Sequence, residues 1–199
     1  LESHGYKTAV LSQPEWKNPD DFRKFGRPRL GFLINSGNVD SMVNHYSVFR
    51  HRRKRDVYSP GGKTGKRPDR AVIVYSNRAH EAYRDVPVII GGLEASLRRL
   101  GHYDYWDDKV RRSIIMDSRA DILIYGMGEK AIIEIAEALD SGIEARDITW
   151  IRGTCVRMKD PYIQDDDVIL PEFDKIAASK DEYCRSFALQ YRSNEPVNG

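Results

Sequence analysis

The apolar residues of this chain fall in short runs. Thr8 to Leu11, Leu30 to Ile34, Val86 to Ile90, Ile122 to Tyr125 and Ile148 to Ile151 are mostly bounded by Gly, Pro, Asn or Asp. Near-continuous apolarity over so short a span predicts strands buried on both faces of a parallel sheet. Helical periodicity lies between several of them. After Pro68, a favoured first helical residue, Val72, Tyr75, Ala79 and Ala82 share one face. Ile132, Ile135, Ala136 and Leu139 do the same after Gly128, and Gly142 is placed to end that helix. Trp106, Val110 and Ile114 stand at i, i+4 and i+8 and predict a further helical segment. Strand and helix in this alternation predict an α/β fold, a doubly wound and mostly parallel Rossmann-like sheet.

The ends carry weaker patterns. "LESHGY" reads as the closing turn of a helix with Gly5 as its cap, so an element is expected ahead of Leu1. Beyond Asp160 a short strand is expected at Val168 to Leu170, then one helix from about Glu172 to Tyr191. The polar "RSNEPVNG" reads as a linker. The expected organisation is an α/β domain over residues 1–160 and a helical extension with linker over residues 161–199.

Charge changes this picture in one place. The chain's net charge is +2, yet residues 50–70 hold nine Lys/Arg and two Asp, so that segment alone is +7 and the rest −5. No period runs through it, and a basic loop of that length is functional or disordered more often than not. Phosphate binding is one reading, with Tyr46, Phe49 and Tyr58 stacking on RNA or DNA bases; a solvated loop or an acidic neighbouring domain is the other. "GGKTGK" within it is not a P-loop, because the pattern needs glycine where Val57 or Pro60 stands. No apolar run approaches the ~20 residues of a membrane span. Cys155 and Cys184 match neither a disulfide framework nor a metal knuckle, and a reducing cytoplasm is expected.

Candidate chemistry gathers where strands end. "LINSGN", "IIGGLE" and "IYGMGE" each close an apolar run on small or polar residues. Ligands of open α/β sheets sit at the carboxyl ends of the strands, and glycine lets them approach bare backbone. The same glycines also serve plain turns. Gly126, Gly128 and Ala131 satisfy G-x-G-x-x-A, but Asp147, the acid needed for a ribose, precedes the next strand instead of ending it. Glu94, Asp104, Asp107 and Asp108 could act as acid/base pairs or as helix caps, with Arg98, Arg99, Arg111 and Arg112 as ion-pair partners. Asp104 best fits a cap. His45, His80 and His102 have no ligand spacing to a Cys or an acid, which argues against zinc.

Several stretches together resemble one family. "GNVDSMVNHYS", "RPDRA", "GGLEASLRR", "HYDYW" and the closing "SNEPVNG" are similar to the YgiQ family of radical S-adenosylmethionine proteins, closely over Leu1 to about Asp160 and again from Arg192. The resemblance implies a domain like the cobalamin-binding domains, followed in the parent protein by a radical-SAM barrel. The barrel's C-x₃-C-x₂-C motif holds a 4Fe-4S cluster that cleaves S-adenosylmethionine. Cys155 and Cys184 do not form that motif, so catalysis is expected in the parent protein and not in this chain. By the same analogy Ser36, Gly37, Asn38, Gly91, Gly92, Glu94, Gly126 and Gly128 would line a cleft for a corrinoid or substrate. The resemblance also implies a first strand and helix ahead of Leu1, so no residue here is assigned as an axial metal ligand. The Arg-rich "LRRLGHYDYW" could instead pack against the parent's radical-SAM domain, leaving a docking domain without a ligand.

Overall fold

Three of the apolar segments pair into one sheet, joined by a fourth strand at Thr154–Val156. The computed structural model describes residues 1–193. Strands β1 (Phe32–Ile34), β2 (Val88–Ile90) and β5 (Ile122–Ile124) run parallel, and β6 (Thr154–Val156) closes the sheet antiparallel to β5. The order is β1-β2-β5-β6, with Leu33 opposite Ile89 and Leu123 opposite Cys155. Between them lie α1 (Ser41–His45), α2 (Ala71–Ala82), α3 (Gly92–Leu97), α4 (Ile114–Ser118) and α5 (Glu129–Asp140). The fold is therefore the mixed α/β class expected from the strand and helix rhythm.

Side-chain alternation divides the core in two. Ile34, Val88, Ile90 and Leu123 turn to the face covered by α2 and α4, where Val72, Tyr75, Ala79, Ile114 and Ile115 meet them. Ile89, Ile122 and Ile124 turn to the other face and pack on Ala131, Ile135 and Ala138 of α5. Burial on both faces explains why these strands read as unbroken apolar runs. Helix α5 ends as its sequence predicts. Gly142 takes φ 87, and the N–H of Ile143 donates to Ala138 O at 3.1 Å.

The chain divides into two compact units, one of Leu1–Arg99 and Ile114–Arg157, the other of Leu100–Ser113 and the segment from Met158 on. The second contains an antiparallel hairpin, β3 (His102–Asp104) with β4 (Lys109–Arg111), and helices α6 (Phe173–Ala178) and α7 (Lys180–Ser193). Tyr183 of α7 accepts a hydrogen bond at its hydroxyl from Tyr103 N at 3.0 Å.

Several expected elements differ. Trp106, Val110 and Ile114 do not share a helix: Asp104 accepts from Trp106 N at 2.9 Å and Asp107 N at 3.0 Å, and this turn folds the segment into the hairpin. Asp104 is a cap, as its position suggested, but of a β-turn. Ile148 and Ile151 are buried outside any strand; the chain reverses at Gly153, φ 78, and the strand begins at Thr154. Thr8 to Leu11 and Val168 to Leu170 pair with nothing in a sheet, and Val10, Val168 and Ile169 are exposed. The helix expected from Glu172 to Tyr191 is broken at Ser179, whose backbone is extended. Gly5 caps a short 3-10 turn, Glu2–His4, as expected. Residues 194–199, most of the expected linker, lie outside the described residues.

Candidate functional site

At the carboxyl ends of β1, β2 and β5 the three glycine-bearing turns come to one edge of the sheet. The β1 turn is an Asx turn, with Asn35 Oδ1 accepting from Gly37 N at 2.8 Å. Gly37 takes φ 89, Gly92 φ 76 and Gly126 φ 67, the left-handed region that favours glycine. Ser36 is buried and donates to Val39 O at 3.2 Å, while Gly37 and Asn38 are exposed. Behind this turn the buried Arg67 donates from Nη1 to Ser36 O at 2.5 Å and Val39 O at 3.1 Å.

The two glycines of "IIGGLE" have different causes. Gly92 has a positive φ, and a Cβ there would stand 3.0 Å from the Asn35 Cβ. The backbone therefore requires glycine at 92. Gly91 is extended at φ −163, and a Cβ there would make only ordinary contacts, 3.5 Å from Ile124 O. Nothing in the local fold demands glycine at 91. Gly128 is a packing glycine, because its Cβ would fall 2.7 Å from Ile124 Cγ2.

Helix α3 binds the edge together from beneath. Glu94 is fully buried and points inward: Oε2 accepts from Ser41 N at 2.9 Å and Oε1 from Val72 N at 3.0 Å. One carboxylate thus satisfies first-turn N–H groups of both α1 and α2 and offsets the positive ends of both helices. Ser41 Oγ accepts from Ala71 N at 3.1 Å. Asp40 caps α1 through Met42 N and Val43 N, and its second oxygen pairs with Arg98. Ser96 Oγ accepts from Gly126 N at 3.4 Å, and the Arg99 guanidinium lies 5.0 Å from the Tyr125 ring centroid. Arg98 is an ion-pair partner, as its sequence context suggested. Beyond these ties the edge presents bare backbone and exposed apolar side chains, Leu93, Leu97 and Met127.

A second polar cluster was invisible in the sequence. His45 Nδ1 and Tyr46 Oη each lie 2.6 Å from a separate oxygen of Asp69, and Arg52 Nη1 donates to Tyr46 Oη at 3.2 Å. His45 does have an acidic partner, then, at a distance of 24 residues along the chain. Burial pushes the Asp69 carboxyl up, but Tyr46 and His45 together hold it below its ordinary value. The Tyr46 hydroxyl is raised, chiefly by its bond to Asp69 and then by burial. Burial pushes Tyr75 up to about 12, against the pull of Arg67. The Cys155 thiol is likewise raised by burial and is no reactive thiolate.

At the opposite, amino edge of the sheet a cleft of about 420 Å³ includes Arg27, Arg84, Arg146, Asp85 and Glu144. Its charges are largely matched, since Arg27 pairs with Asp85 at 2.8 Å and Arg146 with Glu144 at 2.7 Å. Among the described residues no group of three or more His, Cys, Asp or Glu could hold a metal ion. The chain's two cysteines do not fit a 4Fe-4S cluster, and no step of chemistry is assigned to one here. No helix of the described residues is long and apolar enough to cross a membrane.

Comparison with known proteins places the chain. A UPF0313 protein of Clostridium perfringens (strain ATCC 13124) is 52% identical over 200 residues, covering 100% of this chain and 30% of the relative. One from Clostridium botulinum (strain Okra) is 50% identical over 199 residues, covering 31% of that protein. The chain therefore spans about a third of the length of these relatives. No solved structure matches. The family model described as radical SAM N-terminal matches residues 1–199, and the chain belongs to that family.

Proposed function

We propose that this domain is an accessory part of a radical S-adenosylmethionine protein, holding a corrinoid or a substrate at the glycine edge beside the catalytic domain. Catalysis, with its 4Fe-4S cluster and S-adenosylmethionine, belongs to the remainder of the parent protein. The single observation that supports the edge as a binding surface is Gly91. The local fold tolerates a side chain there, so the bare backbone is unexplained by packing. Gly37 and Gly126 flank it with little or nothing over them, and Asn38 stands exposed beside Gly37. Leu93, Leu97 and Met127 give the rim an apolar character suited to a ring system or to the neighbouring domain.

Ser36, Gly92, Glu94 and Gly128 belong to the same reading as supports. Glu94 and Ser36 make hydrogen bonds beneath the edge, and Gly92 and Gly128 allow its close turns. A corrinoid bound there would supply methyl or radical transfer. The chain's own residues would orient it and exclude water, with no axial ligand assigned. The reducing cytoplasm is the compartment we infer, in keeping with the free thiols of Cys155 and Cys184.

The test uses the full-length protein purified without oxygen. Corrinoid is titrated and followed by its visible spectrum, in the parent, in Gly91→Ala and in Gly91→Gln. Tight binding that survives the methyl and is lost with the longer side chain supports a corrinoid at this edge. A folded parent that binds no corrinoid removes that ligand and leaves the edge to substrate or to the catalytic domain.

A further inference from the structure

The basic segment does not behave as a floppy loop. Its two acids hold it, Asp56 buried and Asp69 half-buried. Asp56 is 1% exposed and accepts from Tyr58 N at 3.0 Å and Ser59 Oγ at 2.8 Å. Its own N–H donates to Gly62 O at 3.1 Å, and Gly62 N returns a bond to Ser59 O at 2.9 Å. Asp69 is taken up by His45, Tyr46 and Arg52. The tip at residues 47–51 is a closed turn, with Arg50 N donating to Ser47 O and Ser47 N to His51 O, both at 2.9 Å. Arg53 N donates to His45 O at 2.7 Å, so the tip is tied to α1.

With Asp56 buried and Asp69 engaged by His45, Tyr46 and Arg52, five cations of the segment stand unopposed. Arg53, Lys54, Arg55, Lys63 and Lys66 are exposed and make no ion pair among the described residues. Arg50 and Arg52 are exposed as well. On the same segment Phe49 is 79% exposed and Tyr58 48%. Unopposed cations interleaved with exposed aromatic rings on an ordered scaffold are the elements of a single-strand binding surface: cations follow the phosphates and rings stack on bases. An acidic protein surface would draw on the same cations, and competition between the two polyanions separates them.

We propose that residues 47–66 form a binding surface for single-stranded RNA, separate from the glycine edge and independent of any ligand there. Bases stack on Phe49 and Tyr58 while Arg53, Lys54, Lys63 and Lys66 contact phosphates. This gives the basic segment a substrate-delivery role: a nucleic-acid strand is held on the accessory domain.

The test is fluorescence anisotropy with a labelled single-stranded RNA of mixed sequence, about 12 nucleotides long, matched to the site sizes of such surfaces. The full-length protein is titrated across a salt series. Four phosphate contacts give a slope of log K against log salt of about −3. Changing Arg53, Lys54, Lys63 and Lys66 together to Gln flattens that slope and weakens binding, while the same number of changes at exposed Lys7, Lys17, Lys24 and Lys159 does not. Phe49→Ala and Tyr58→Ala each weaken binding roughly tenfold and leave the slope unchanged. Restoring charge with Arg53→Lys and Lys54→Arg recovers affinity, which separates charge loss from misfolding. Absence of binding at about 50 mM salt overturns the proposal. Equal competition by polyglutamate, with Phe49→Ala and Tyr58→Ala silent, also overturns it and assigns the surface to an acidic protein. Corrinoid binding is read separately, so loss of one result does not decide the other.

Discussion

The Glu94 carboxylate is the most exacting test of how this edge is built. It is fully buried, and its two oxygens accept the Ser41 and Val72 N–H groups at 2.9 and 3.0 Å. Hydrogen bonds to a charged group contribute about 1.5–3 kcal/mol each. Removing both with Glu94→Ala leaves two helix N-termini with unsatisfied donors. Water entering the vacated space recovers part of the loss, so the expected cost is about 2–5 kcal/mol. That is a large share of a typical total stability of about 5–15 kcal/mol.

Glu94→Gln is the sharper perturbation, because it keeps size and changes chemistry. The amide retains one acceptor oxygen but turns an NH₂ group toward the other backbone donor. The expected cost is about 1.5–3 kcal/mol. Urea unfolding followed by circular dichroism gives the global figure. Amide hydrogen exchange gives the local one, with Ser41 and Val72 losing protection before the sheet residues Ile90 and Leu123. Glu129→Gln, in the exposed first turn of α5, serves as the reference and should change stability by less than about 0.5 kcal/mol. If Glu94→Gln is as silent as Glu129→Gln, and Ser41 and Val72 keep their protection, the reasoning that one carboxylate braces both helices is wrong.

Three further outcomes follow from the same geometry. Gly92→Ala should cost about 1–3 kcal/mol through its positive φ and the Asn35 contact, whereas Gly91→Ala should stay within about 0.5 kcal/mol in the same unfolding assay. Leu123→Ala, at a fully buried central position, should cost about 2–5 kcal/mol and lower the midpoint without changing the folded spectrum. The Asp69 carboxyl is depressed in the folded protein, so its contribution is present at neutral pH and is lost as pH falls below about 4. A pH series of unfolding midpoints should therefore show a shallower acid-side decline in Asp69→Asn than in the parent; identical slopes would rule out a stabilising role for the ionised form.

How far the sequence carried depends on which interactions are local. Runs such as Val86 to Ile90 and Ile122 to Tyr125 announce a buried parallel strand because both faces are apolar, and α5 announces its own end through Gly142. The hairpin at Asp104 was hidden because Trp106, Val110 and Ile114 happen to match a helical spacing. The distinguishing event is one carboxylate closing a turn on two N–H groups. The N-terminus of α2 is illegible for a different reason. Arg70 stands at its cap position in a left-handed conformation and offers no side-chain cap bond. The caps come from Ser41 and Glu94, 30 and 22 residues away in the chain. His45 with Asp69 belongs to the same class, since pairing across 24 residues leaves no spacing signature. The edge itself was legible as three glycine turns, but the separation of Gly91 from Gly92 needed the backbone angles.

The fate of the acids decides the character of each surface. Charge counted along the chain treats Asp56 and Asp69 as cancelling two of the nine cations of residues 50–70. In the folded protein the Asp56 oxygens accept from Tyr58 N and Ser59 Oγ, and Asp69 is engaged by His45, Tyr46 and Arg52. Arg67 is buried too, its charge directed at the Ser36 and Val39 carbonyls. What remains facing water is cationic, ordered and interleaved with aromatic rings. At the glycine edge the same consumption works the other way. Glu94 is taken by two helix N-termini and Asp40 by α1 and Arg98, so an edge rich in acids on paper presents backbone, leucine and methionine. One domain thus offers two surfaces of different chemistry. A polyanion suits the first, and an apolar ring or a neighbouring domain suits the second.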